Sequence, residues 1–145
     1  DVTSLIRTDE ISLAASAVSK HPEVRKDLVA RQQQMAKAGG FIMDGRDIGT
    51  VVLPDAQVKV FMTASAAARA KRRYDQNIAS GIPSESLEEI TKEIEQRDYQ
   101  DTHRSASPLT QAPGAVVIDT SDMTIQQVCD AIWALAQPFV IKEEE

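Results

Sequence analysis

An α/β layered fold with a largely parallel sheet is predicted by two observations. Three short apolar runs of strand size occur at residues 41–44, 57–63 and 115–119. Between and around them lie segments whose apolar residues recur at helical spacing. Strands that alternate with helices build this layered class.

Taken in order, the chain opens with a helical stretch. Thr8 is a plausible N-cap, and Asp9 and Glu10 suit a first turn, where carboxylates meet the positive end of the helix. His21-Pro22 breaks that stretch, and Pro22 is well placed at the first position of a second helix. Val24, Leu28 and Met35 belong to this helix, which Gly39 and Gly40 stop. The apolar run 41–44 leads into a turn, Gly45-Arg46-Asp47. The run 57–63, rich in Val and Phe, is entered after Pro54. Ser65 is placed to cap an alanine- and arginine-rich helix that ends near Gly81 and Pro83. Leu87, Ile90 and Ile94 form the stripe of another helix. The run 115–119 is the third strand, and Thr124 opens a final amphipathic helix with Ile125, Val128, Ile132 and Leu135. Three strands are few for such a sheet.

At 145 residues the chain suits one compact domain. Its formal charge of -6 argues against broad binding to nucleic acid or an anionic membrane, both of which want a basic face. It does not argue against a small anionic substrate, because a few converging arginines set the local potential. Glu143, Glu144 and Glu145 read as a solvated acidic tail. No apolar run is long enough to span a bilayer, and no signal peptide begins the sequence. The single Cys129 cannot form an internal disulfide, which fits a reducing compartment, the cytoplasm being the default. One cysteine and two scattered histidines, His21 and His103, do not make a zinc site of the usual spacing. There is no G-x-S-x-G, and aromatics are too scarce for a base-stacking platform.

Three clusters carry candidate chemistry. In residues 44–50, Asp-Gly-Arg-Asp-Ile-Gly-Thr, an expected strand runs into Arg46-Asp47 between two glycines. Ligands of parallel α/β sheets bind beyond the carboxyl ends of strands. An arginine fork suits phosphate, and an aspartate accepts from an amino group or hydroxyl. An ordinary turn with a surface Arg–Asp pair fits the same residues. In the second cluster, Arg97, Asp101 and Arg104 stand four and three apart and continue the Leu87–Ile90–Ile94 stripe, as at the edge of a cleft. The simpler reading is a solvated helix end laced by weak ion pairs. The third cluster is Arg69, Lys71, Arg72 and Arg73, where Arg69 and Arg73 share a face and Arg72 points elsewhere. Such a run is usually a wet helix face.

Taken together and in order, these motifs resemble bacterial cytidylate kinases. The resemblance is carried by Asp1-Val2-Thr3 with Ile6-Arg7, Ala15-Ser16, Pro22 with Val24-Arg25, residues 44–52 and Pro54-Asp55-Ala56. It continues through Lys59-Val60-Phe61, Arg69-Ala70, Arg72-Arg73, Arg97-Asp98 with Asp101 and Arg104, Ser107-Pro108-Leu109 and Ile118-Asp119-Thr120. It implies a P-loop-kinase type of parallel sheet flanked by helices, with a helical acceptor-binding insert and a lid. The corresponding division is 1–39 for the helical CMP-binding region, 40–137 for the rest of the α/β core with a lid around 73–104, and 138–145 for the acidic tail.

The resemblance also implies roles. Ser16 and Asp47 match residues that face the cytosine, and Arg25 and Arg46 match residues on its phosphate side. Arg97, Asp101 and Arg104 match a catalytic cluster near the pentose and the transferred phosphate. Arg69 and Arg73 resemble lid arginines that meet ATP phosphates or adenine. The implied reaction moves a phosphoryl group from ATP, with Mg²⁺ as its complex, to CMP or dCMP in a cytoplasmic monomer, with no resident metal, nucleic acid or membrane involved.

One departure from the family pattern is plain. The family carries a G-x-x-x-x-G-K-[ST] loop after a central strand, and no such motif occurs here. The expectation is therefore a piece of a cytidylate kinase that by itself turns over little CMP. The alternatives are a CMP-binding module without catalysis and a kinase for another small acceptor.

Overall fold

A computed structural model of the chain describes residues 2, 6, 9–19, 21–103 and 107–140. Helix α1 spans Asp9–Val18 and α2 spans Pro22–Ala36. Pro22 sits in the first turn of α2, where its missing amide costs no hydrogen bond, and Glu23 beside it complements the helix dipole. Past the end of α2 the backbone turns through Gly39 and Gly40, with φ of +75° and +67° that a side chain would strain.

A single π-helical turn, Ile48–Val52, follows the Gly45-Arg46-Asp47 segment. Strands β1, Val60–Thr63, and β2, Val116–Asp119, then pair in parallel, with Val60 opposite Val116 and Thr63 opposite Asp119. Between them in sequence lie α3, Ala66–Ala79, and α4, Leu87–His103, which pack on one another. Helix α5, Ile125–Ala136, closes the order with a 3-10 turn at Gln137–Phe139. The fold is thus α/β, with a small parallel sheet and helices around it.

Local chemistry explains the element starts. The Ser65 hydroxyl accepts from the Ala68 amide at 3.2 Å, capping α3. Thr124 and Gln127 form a reciprocal capping box at the head of α5, each side chain accepting from the other's amide.

The strand expected at residues 41–44 is absent. That segment is irregular, with Ile42 96% exposed and Phe41 half exposed. A strand needs a neighbour to take up its amides and carbonyls, and among the described residues β1 pairs only with β2. The run expected from residue 57 becomes strand only at Val60. In α5, Val128, Ile132 and Leu135 are half buried as their spacing predicts, but Ile125 is 85% exposed.

Among the described residues the buried apolar ones are Val52, Ala70, Ile90, Ala112 and Ile118, contributed by the π turn, α3, α4, the approach to β2 and β2 itself. Buried Thr120 fastens the carboxyl ends of the two strands together. Its amide and its hydroxyl both donate to the Thr63 carbonyl, at 2.8 and 3.0 Å. Arg72 reaches across from α3 to donate to the Thr120 carbonyl and, at 3.3 Å, to its hydroxyl. The Ser65 amide donates to the Ser121 hydroxyl at 2.9 Å, and that hydroxyl donates to Asp119 at 2.6 Å. The strand ends, where parallel sheets bind ligands, are therefore held by side chains as well as by the ladder.

Candidate functional site

The segment 45–52 is built to be tight. The Asp47 carbonyl accepts from the Val51 amide at 2.9 Å and from the Thr50 hydroxyl at 3.3 Å, while the Leu53 amide donates to the Ile48 carbonyl at 2.6 Å. At Gly49 an added Cβ would stand 3.1 Å from the Cβ of buried Ala112, so any side chain here would push the turn and the approach to β2 apart by a few tenths of an ångström. Val52 is buried beneath it.

Helix α2 packs against this turn and is tied to it at both ends of one face. Arg25, Val29 and Gln33 recur at intervals of four and so line that face. Gln33 Nε2 donates to the Val52 carbonyl at 3.1 Å. Arg25 Nη2 donates to Asp47 Oδ2, with both side chains more than four-fifths covered. A cleft of about 440 Å³ lies along this face, lined by Pro22, Arg25, Val29, Gln33 and Val51.

The next residue back, Arg46, turns the other way. Its Nε lies 3.3 Å from Asp101 Oδ2 on the last turns of α4, where Asp101 is largely covered and Arg46 is 42% exposed. The Asp101 carbonyl also accepts from the Leu109 amide at 2.8 Å, which anchors the loop behind α4 to the same turn. Arg46 and Asp47 thus each engage an opposite charge from a different helix.

Two further ion pairs join α3 to α4. Arg69 forms a two-pronged pair with Asp98, Nη1 to Oδ1 at 2.9 Å and Nη2 to Oδ2 at 2.5 Å, while its Nε donates to the Ala64 carbonyl at 3.0 Å. This fork is the main reason the Asp98 carboxyl is held below its ordinary value, partial burial working against it, and the same fork raises the Arg69 value. Arg73 lies 3.6 Å from Glu93. Glu85 is held above its ordinary value, first by the neighbouring charge of Glu93.

The structure therefore gathers Arg25, Arg46, Asp47 and Asp101 around one turn, and sets Arg69 and Arg73 together on the α3–α4 face. Arg97 lies on the same helix as Asp101 and is exposed. Ser16 falls in α1, but its side chain lies outside the described residues, as does all of Arg104. Sequence reasoning missed Asp98 and Gln33 as partners and left Arg72 without a task. The clue for Asp98 was its position three residues before Asp101, which puts both carboxylates on one side of α4. Among the described residues, no three His, Cys, Asp or Glu side chains converge to hold a metal ion.

Over residues 1–138 the chain matches the protein-family model described as cytidylate kinase. The chain belongs to the cytidylate kinase family. It is 53% identical over 132 residues to a cytidylate kinase of Geobacillus sp. (strain WCH70), covering 91% of this chain and 58% of that relative. It is 52% identical over 137 residues to a cytidylate kinase of Streptococcus pneumoniae (strain Hungary19A-6), covering 94% of this chain and 61% of that relative. The chain so spans about three fifths of the length of the curated relatives it matches. Around the tight glycine turn the arginines carry planar forks suited to phosphate, and the aspartates carry acceptors suited to amino and hydroxyl groups. No helix of the described residues is long and apolar enough to cross a membrane.

Proposed function

We propose that the whole protein transfers the terminal phosphoryl group of ATP to CMP or dCMP, yielding CDP or dCDP, and that this chain supplies the acceptor-binding side of the site. The observation that carries the reading is the convergence of Arg25 and Asp47, and of Arg46 and Asp101, on the single turn 45–52. Membership of the cytidylate kinase family supports the choice of acceptor.

In this reading the acceptor's phosphate draws on Arg25 and Arg46, each contact contributing about 1.5–3 kcal/mol as a charge-assisted hydrogen bond. Asp47, steadied by Arg25, accepts from the amino group of the cytosine, with Ser16 on the same side. Asp101 accepts from a pentose hydroxyl, while Arg97 and Arg104 neutralise charge on the group in transfer. Arg69 and Arg73 serve the donor nucleotide. No general base is required, because the acceptor is already a phosphate anion, and the protein's work is positioning and charge neutralisation. Magnesium accompanies the ATP phosphates and screens their charge. The described residues offer it no cluster of ligands, and no step here depends on one.

The 145 residues contain no G-x-x-x-x-G-K-[ST] loop, so by themselves they are expected to bind CMP without turning it over at an enzyme's rate. Within them, 1–39 forms the CMP-binding region, 40–137 the α/β core with a lid around 73–104, and 138–145 the acidic tail. The whole protein works as a cytoplasmic monomer. The test is steady-state CMP phosphorylation by the whole protein, wild type against Arg46→Ala. A loss of about a hundredfold or more in kcat/KM is expected from removing a phosphate-binding arginine, and wild-type kinetics in the variant would refute the role.

A further inference from the structure

Helix α4 presents two carboxylates one turn apart, and the two do different work. Asp101 meets Arg46 in the acceptor turn. Asp98, 29 positions from Arg69 in sequence, takes both prongs of its guanidinium, and the Ala64 carbonyl at the end of β1 takes the remaining Nε–H. All three nitrogens of Arg69 are thus engaged inside the protein. Two contacts with one carboxylate fix the plane of the guanidinium, and the third, from another element, fixes its orientation about the side-chain axis. A guanidinium so held has few edge donors left for a phosphate oxygen. One third of the Arg69 side chain stays exposed, beside the carboxyl end of β1, and a guanidinium whose edges are taken up in this way has its positive, planar face to offer a ligand.

We propose that Asp98 is a positioning residue, which sets the plane of Arg69 for contact with the donor nucleotide; this rests on the functional reading above. Asp98 itself touches no substrate. Its effect is to make Arg69 a preformed surface, so that a nucleotide meets an arginine whose side-chain freedom is already spent. The Arg73–Glu93 contact is longer and more exposed than the Arg69–Asp98 fork.

The experiment compares wild-type, Asp98→Asn and Asp98→Glu forms of the whole protein by three measurements. These are hydrogen exchange at the Arg69 Nε–H by NMR, calorimetric affinities for ATP and for CMP, and thermal melting. In Asp98→Asn the Arg69 Nε–H should exchange about tenfold faster and ATP affinity should fall about tenfold, the factor lost with one charge-assisted contact. CMP affinity should stay within about twofold, and Asp98→Glu should restore part of the ATP affinity. Arg69 exchange unchanged in Asp98→Asn overturns the inference, whatever the nucleotides do. So does a parallel fall in ATP and CMP affinity with a lower melting temperature, which marks a structural role only. A wild-type protein that binds neither nucleotide refutes the functional reading instead, and the exchange comparison still decides whether Asp98 positions Arg69.

Discussion

Arg25 on α2 and Asp47 in the glycine turn, 22 positions apart, form an ion pair in which both side chains are more than four-fifths covered. The pair is the point where the helical region and the core are joined by charge. It also sets a guanidinium, a group suited to phosphate, directly against a carboxylate, a group that accepts from amino and hydroxyl donors.

Arg25→Ala should therefore act twice. It leaves Asp47 part-buried without its cation, costing about 1–3 kcal/mol of stability, and, on the function proposed above, it removes a hydrogen-bond donor to the phosphate of CMP. Urea denaturation and CMP calorimetry on the same samples check both effects. A variant that keeps wild-type stability and CMP affinity would contradict the assignment.

Gly49→Ala should destabilise by about 1–3 kcal/mol, because the new methyl group stands against the buried Cβ of Ala112. The denaturation midpoint should fall while the slope stays constant. An unchanged midpoint would mean that the turn is not packed as described.

Arg72→Met should lower stability and spare CMP affinity. Arg72 spends its guanidinium on the Thr120 carbonyl and hydroxyl and, at 3.3 Å, on the Ser121 carbonyl, all just past the carboxyl end of β2. Thermal melting and CMP calorimetry should separate the two properties, and a selective loss of CMP binding would contradict the structural role.

The acid limb of stability should carry a contribution from Asp98. Its carboxyl is held below the ordinary 3.8 chiefly by Arg69, so the unfolded chain binds the proton more readily. The stabilisation is therefore complete above that ordinary value and is lost as pH falls through the lowered one. With both partners about one third exposed, solvent screening keeps it under about 1 kcal/mol. Urea midpoints between about pH 3 and about pH 6 should show a flatter acid limb in Asp98→Asn than in wild type. Parallel curves would remove Asp98 from the acid response.

The parts of the fold legible in the sequence are those decided locally. Ser65 and Thr124 announce helix starts because a cap is a contact within one turn. Spacing alone puts Arg69 and Arg73 on one face of α3, and both turn to α4. Residues 41–44 look like a strand by composition, yet strand formation depends on a partner elsewhere, and Ile42 has none to lie against. The pairing of each arginine was not legible for the same reason: Arg25 with Asp47, Arg69 with Asp98 and Arg72 with Thr120 are contacts across 22, 29 and 48 positions. The residue types of the candidate site are legible in order along the chain; which partner answers which arginine is not.

The most direct test of the account is calorimetric titration of this 145-residue chain with CMP, UMP and AMP, repeated on Asp47→Ala. The account predicts that CMP binds at least about tenfold more tightly than UMP or AMP, the discrimination one well-placed polar contact supplies, and that Asp47→Ala abolishes the preference. Equal affinity for the three nucleotides in the wild type, or a preference for CMP that survives Asp47→Ala, would contradict it.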